Sequence, residues 1–121
     1  IKMINIDLSG KTVMITGSGG DIGVAILKKF LKAGAKCVCL DKNNKRIKAG
    51  KLIKFFSNKI ILINKNLENK SFVKSVSQEL KKKKIRLDVL INNAGFTTSK
   101  NFLKYELKDW DKTLKINLTA P

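Results

Sequence analysis

The sequence predicts an α/β fold, a doubly wound parallel sheet in three layers. Three observations carry that prediction. Short β-rich runs alternate with stretches whose apolar residues recur at helical spacing. Strands joined through helices of this length imply crossovers and a parallel sheet. The glycines and polar residues that break the pattern fall at the carboxyl ends of the strand runs, the edge on which such sheets bind ligands.

The elements follow in order. "KTVMIT" (11–16) reads as a first strand running into glycines. From Asp21 to Ala33, Ile22, Ile26, Leu27, Phe30 and Leu31 keep helical spacing, and Gly34 stops the helix. "KCVCLD" (36–41) is a second strand, and Ala49, Leu52, Ile53 and Phe56 mark a second helix. "KIILIN" (59–64) is a third strand, apolar enough to be buried on both faces. Phe72, Val73, Val76 and Leu80 mark a third helix, and "LDVLIN" (87–92) is a fourth strand. A loop through Ser99 precedes a last helical stretch from about Leu107.

Composition narrows the class. A chain of 121 residues with 43% hydrophobic content fits one globular domain. No apolar run approaches the roughly 20 residues that span a bilayer. The N-terminal "IKMINIDLSGK" has no signal-peptide core, so the expected location is the cytoplasm, with no membrane partner. The net charge of +17 raises the alternative of a basic anion- or nucleic-acid-binding protein. Of the 26 basic residues, however, only Arg46 and Arg86 are Arg, the side chain that base and phosphate recognition draws on. The lysines are dispersed, and the one dense run, "KKKKIR" (81–86), suits a solvated helix end. Nucleic acid is therefore not the expected partner. Cys37 and Cys39 share one face of a strand and, with no His in the chain, complete no zinc site. They read as reduced, buried thiols, and no metal is expected.

The chemistry-bearing stretch is "ITGSGGDIG" (15–23). A glycine loop between strand and helix lets backbone approach a pyrophosphate, which the helix's free N–H groups then receive. Asp41 at the end of the next strand can accept hydrogen bonds from both adenosine ribose hydroxyls and would repel a 2′-phosphate. Its alternative role is a helix N-cap. Together these describe a Rossmann-like fold.

"LSGKTVMITGSGGDIG" (8–23), "INNAG" (91–95) and "WDKTLKINLTAP" (110–121) resemble, in order and spacing, three motifs of the classical short-chain dehydrogenases/reductases. The resemblance covers nearly the whole chain. It implies residues 1–121 are the N-terminal, dinucleotide-binding domain of an oxidoreductase. Such an enzyme moves a hydride between NAD and a small carbonyl or alcohol substrate, and its full-length form is a homo-oligomer, dimer or tetramer. NAD is expected before NADP, because of Asp41; Lys42, which could reach a 2′-phosphate, is the weak point. The pyrophosphate would meet Gly17, Ser18 and the Ile22 amide, with Gly20, Asp21 and Gly23 completing the cofactor-binding loop. Asn66 and Leu67 would serve the adenine, and Asn93, Ala94 and Gly95 the adenine-ribose side of the cofactor. The family's catalytic Asn falls on Asn117.

Three departures from the family pattern stand out. Asp21 occupies the place of the middle glycine in Thr-Gly-x-x-x-Gly-x-Gly. A carboxylate there suits the first turn of a helix, where it can cap free N–H groups and turn away from the phosphate. The loop also reads Gly17-x-x-Gly20-x-x-Gly23, the spacing of the extended branch with its sugar-nucleotide epimerases and dehydratases, which stays an alternative. Asn66 stands where the family commonly has Asp. Last, the chain holds no Tyr-x-x-x-Lys. Its one Tyr, Tyr105, has Asp109 at the Lys position and reads as an ordinary loop or helix-edge residue. The domain thus reads as truncated before the catalytic segment, its sheet incomplete on the C-terminal side, and inactive alone. A non-catalytic NAD-binding fragment remains the further alternative.

Overall fold

A computed structural model describes residues 6–121; the first five residues of the N-terminal segment lie outside the described residues. The strands are β1 (Thr12–Thr16), β2 (Lys36–Asp41), β3 (Ile60–Asn64) and β4 (Val89–Ile91). They form one parallel sheet in the order β3-β2-β1-β4. The chain leaves β1 toward β2 and β3, then returns to place β4 on the other side of β1. A crevice opens where the direction of winding reverses.

Alternation along the strands separates two cores. Val13, Ile15, Cys37 and Cys39 face one side, packed by Leu27 and Leu31 of α1 (Asp21–Lys32) and by Ile47 of α2 (Lys45–Ala49). Met14, Val38, Leu40 and Ile63 face the other, under Val76 of α4 (Phe72–Lys82). Helices cover both faces, giving the three expected layers. Among the described residues no helix is long and apolar enough to cross a membrane.

Helix ends follow the backbone accounting. α1 closes in a Schellman motif: Gly34 N–H donates to Leu31 O and Ala35 N–H to Phe30 O. α4 closes the same way through Lys84 and Ile85, so "KKKKIR" is indeed a helix end. There a lysine, at φ +53°, takes the left-handed position.

Two expectations are corrected. The second helix is two, α2 and α3 (Lys51–Phe56), parted at Gly50. Gly50 has extended backbone, with ψ of 158°, which a continuing helix excludes. β3 is not buried on both faces throughout. Ile60 and Ile63 are buried, but Ile61 and Leu62 stay half-exposed, because β3 has a neighbour only on its β2 side. The last helix, α5 (Leu107–Leu114), runs into a wide π-helical turn at Lys115–Thr119.

Candidate functional site

A cleft of about 650 Å³ lies at the carboxyl edge of the sheet. Its first wall is the glycine loop. Gly17 sits at φ +62°, and a side chain there would bring its Cβ within 2.7 Å of Ala94 Cα. The loop therefore lies directly on the segment that follows β4. Gly20 is the N-cap of α1 and has no side chain to occupy the free amides of the first turn. Those amides, of Asp21, Ile22 and Gly23, have no acceptor within the helix. At Gly23 a Cβ would collide with the Gly17 carbonyl oxygen, so α1 starts pressed against the loop.

Asp41 anchors the floor. Its Oδ2 accepts from Gly19 N–H at 2.9 Å and its Oδ1 from Asn43 N–H at 3.0 Å. The carboxylate thereby fixes the tip of the glycine loop, and each oxygen keeps a lone pair for a further donor. It is not a helix cap: α2 begins after Asn44. Asn44 is buried and its Nδ2 donates to Ile63 O and Asn64 Oδ1, tying β2 to β3. Lys42 and Leu67 also line the cleft.

The opposite wall follows β4. Asn93 Nδ2 donates to Thr16 O at 2.9 Å and Gly17 O at 3.2 Å. Thr16 Oγ1 accepts from the N–H groups of Asn93 and Ala94, both at 3.0 Å. Asn93 is thus a brace between the two walls, and Ala94 and Gly95 line the cleft beside it. Asn117 lies in the π-helical turn. Its Nδ2 donates to Phe96 O at 2.9 Å, and its Oδ1 accepts from Phe96 N–H at 2.8 Å. Its amide group is occupied with holding Phe96 against the cleft.

Asn66 turns toward its own loop. Its Oδ1 accepts from Glu68 N–H, and its Nδ2 donates to Glu68 Oε2. The Asn66 amide and, after it, Lys112 hold the Glu68 carboxyl below the usual carboxylate range. Lys112 reaches from α5 to Glu68 at 3.2 Å and lies over the Phe96 ring, 4.5 Å from its centre. A chain of contacts thus joins the ends of β3, β4 and α5.

Most sequence-predicted residues therefore meet at one cleft. Ser18 and Asn117 are the exceptions: Ser18 is fully buried beneath the loop, its Oγ without a hydrogen-bond partner, and Asn117 reaches the cleft only through Phe96. The capping role expected of Asp21 is corrected. Its side chain makes no cap bond and pairs instead with Arg46, Oδ1 to Nη2 at 2.6 Å. It does turn outward, because the guanidinium of α2 stands there. Tyr105 donates through its hydroxyl to Thr98 O at 3.3 Å, and Lys108 pairs with Glu106, so the two form no Tyr–Lys couple. Cys37 and Cys39 are free and buried, and burial raises their thiols to about 11 and about 12. Sequence reasoning missed Thr16, Asn44 and Phe96. The polar residue just before Gly17 was the one readable signal among them.

Comparisons with known proteins agree with this geometry. The chain is 33% identical over 119 residues to the 3-oxoacyl-(acyl-carrier-protein) reductase of Aquifex aeolicus, covering 97% of this chain and 48% of that relative. It is 35% identical over 115 residues to the short chain dehydrogenase/reductase dpfgG of Gibberella zeae, covering 94% of this chain and 43% of that relative. It superposes on a 4-hydroxyisoleucine dehydrogenase complexed with NADH with a TM-score of 0.80 at 28% identity, over 93% of this chain and 45% of that one. The chain spans about half the length of the curated relatives it matches. The sequence pattern described as short chain dehydrogenase matches residues 11–121, and with the glycine loop, the β2 acid and the Asn93 brace in place, the chain belongs to that family.

Proposed function

We propose that residues 1–121 form the dinucleotide-binding domain of a NAD-dependent oxidoreductase acting on a small carbonyl or alcohol. One observation carries the reading: Asp41 stands at the mouth of the glycine loop, between free helix amides and an open cleft. The residues present fit a dinucleotide. Gly17 and Gly20 let the backbone come close, and the amides of Asp21, Ile22 and Gly23 offer N–H groups to a pyrophosphate. Asp41 offers acceptors to ribose hydroxyls and disfavours a 2′-phosphate, which supports NAD over NADP. Lys42, on the same rim, favours NADP. Asn66 and Leu67 border the adenine end, and Asn93, Ala94 and Gly95 border the adenosine ribose.

When bound, the nicotinamide supplies or accepts the hydride. The chain's own part is to bind and orient it. Asn117 acts as a positioning residue here, since its amide is committed to Phe96. The proton-transfer groups belong to a Tyr-x-x-x-Lys that these 121 residues do not contain. Two free, buried thiols support a reducing compartment, the cytoplasm. Leu107, Trp110, Leu114 and Leu118 are exposed along α5 and its continuation, which supports a homo-oligomer.

Calorimetric titration with NAD and NADP tests the cofactor assignment. NAD is expected to bind more tightly, and Asp41→Ala to narrow the difference. Asp41→Asn, which keeps an acceptor for Gly19, guards against loss of the loop itself. Tighter binding of NADP by the unaltered protein overturns the assignment.

A further inference from the structure

Asp21 places a negative charge in a loop proposed to hold a pyrophosphate. It lines the cleft, and its side chain is 88% exposed, so neither burial nor a cap bond neutralises it. The partner that does is Arg46, from α2, with its Nη2 2.6 Å from Asp21 Oδ1. Arg46 is one of only two Arg in the chain, and α2 is packed on the sheet through Ile47, the next residue. The guanidinium is therefore delivered to the loop by a helix whose neighbouring side chain is 3% exposed. Arg also remains charged at any working pH and presents a rigid fork to a carboxylate.

We propose that Arg46 is a working member of the dinucleotide site: by holding and neutralising Asp21, it keeps the entrance of α1 receptive to the pyrophosphate. The inference rests on the dinucleotide reading above. Without Arg46 nothing holds the Asp21 carboxylate outward, and it is free to swing toward a group that would carry two negative charges. For a carboxylate this exposed the dielectric is close to that of water, and repulsion from two charges about 6–8 Å away weakens binding about fivefold to tenfold at low salt. The pair is exposed, so the effect shrinks as salt screens it. With Asp21 replaced by glycine, nothing remains for Arg46 to neutralise, and its loss becomes nearly silent. The two positions are coupled, and neither effect is predicted by the other alone.

The test is a double-mutant cycle read by titration of NAD at low salt. The four proteins are the unaltered chain, Arg46→Ala, Asp21→Gly and the double variant, with circular dichroism confirming that each is folded. Arg46→Ala is expected to lose about fivefold to tenfold in affinity, and the double variant to lie within about twofold of Asp21→Gly. Arg46→Lys, which keeps the charge but not the fork, is expected to lie between Arg46→Ala and the unaltered chain. Equal affinity in all four proteins overturns the role of Arg46 while leaving the cofactor reading intact. A loss on removing Arg46 that is just as large in the Asp21→Gly background also overturns it, since Arg46 would then touch the cofactor directly. Failure of every form to bind NAD overturns the cofactor reading itself.

Discussion

Gly23→Ala sets two physical effects against each other, and their sizes decide the sign. Gly23 lies inside α1, where alanine is the better helix former by about 1 kcal/mol. On propensity alone the substitution stabilises. The added Cβ, however, would strike the Gly17 carbonyl oxygen and come within 2.8 Å of Ser18 Cα and 3.0 Å of the Gly17 carbonyl carbon. All three atoms are backbone, so no rotamer change relieves them. Overpacking costs about 1–3 kcal/mol when side chains can adjust, and the rigid case belongs at the upper end. The net expectation is a destabilisation of about 2 kcal/mol. To escape the clash, the first turn of α1 must lift off the loop, which also misplaces its amides. NAD affinity should fall about tenfold or more, a loss equivalent to about 1.4 kcal/mol. Urea unfolding and NAD titration read the two effects separately. Gly20→Ala is the control, since its Cβ would meet only Gly17 O, at 3.4 Å. Its stability should change by less than about 0.5 kcal/mol. A Gly23→Ala protein as stable as the unaltered chain, with unchanged affinity, would refute the close approach of loop and helix.

Other expectations concern the same scaffold. Lys84 holds the left-handed position at the end of α4, so Lys84→Gly should stabilise the protein by about 0.5–1 kcal/mol, seen as a raised urea midpoint at constant m. Cys37 and Cys39 are raised from 9.0 to about 11 and about 12 by burial, so the folded state keeps its thiols protonated. The stability this contributes is complete below pH 9 and is lost as pH rises through about 11 to about 12; the loss should be shallower in a Cys37→Ala/Cys39→Ala protein. The 121-residue chain with NAD should turn over none of a panel of alcohols and ketones, because it has no Tyr-x-x-x-Lys. Cofactor-dependent turnover that survives Tyr105→Phe would show that another group supplies the proton.

What the sequence made legible, and what it hid, divides along a physical line. Strand–helix alternation, the glycine loop and the terminal acid of β2 are local patterns, and each stands where its residues predicted. The break at Gly50 was masked because Ala49, Leu52, Ile53 and Phe56 keep helical spacing across it. The exposure of Ile61 depends on which strand has a single neighbour, a property of the whole sheet. The clamps behaved alike. Thr16 acts through Asn93 and Ala94, Asn44 through Ile63 and Asn64, and Asp21 through Arg46. None of these pairs follows from spacing along the chain. An isolated carboxylate reads as a capping residue until the fold brings a guanidinium to it.

The unequal bracing of the two cleft walls has a dynamic consequence. β2 is paired on both sides, and Cys37, Val38, Cys39 and Leu40 are all buried. β4 has three residues and one paired neighbour, with Leu90 52% exposed. Opening free energies follow such contrasts in burial and pairing. Amide exchange should therefore be slowest along β2 and markedly faster at β4 and the Asn93–Phe96 segment behind it. A dinucleotide bound across both walls, as proposed, would work as a clasp, lending the firm side's persistence to the loose one. Its arrival would register less as movement of the glycine loop than as slowed exchange at Ala94, Gly95 and Phe96.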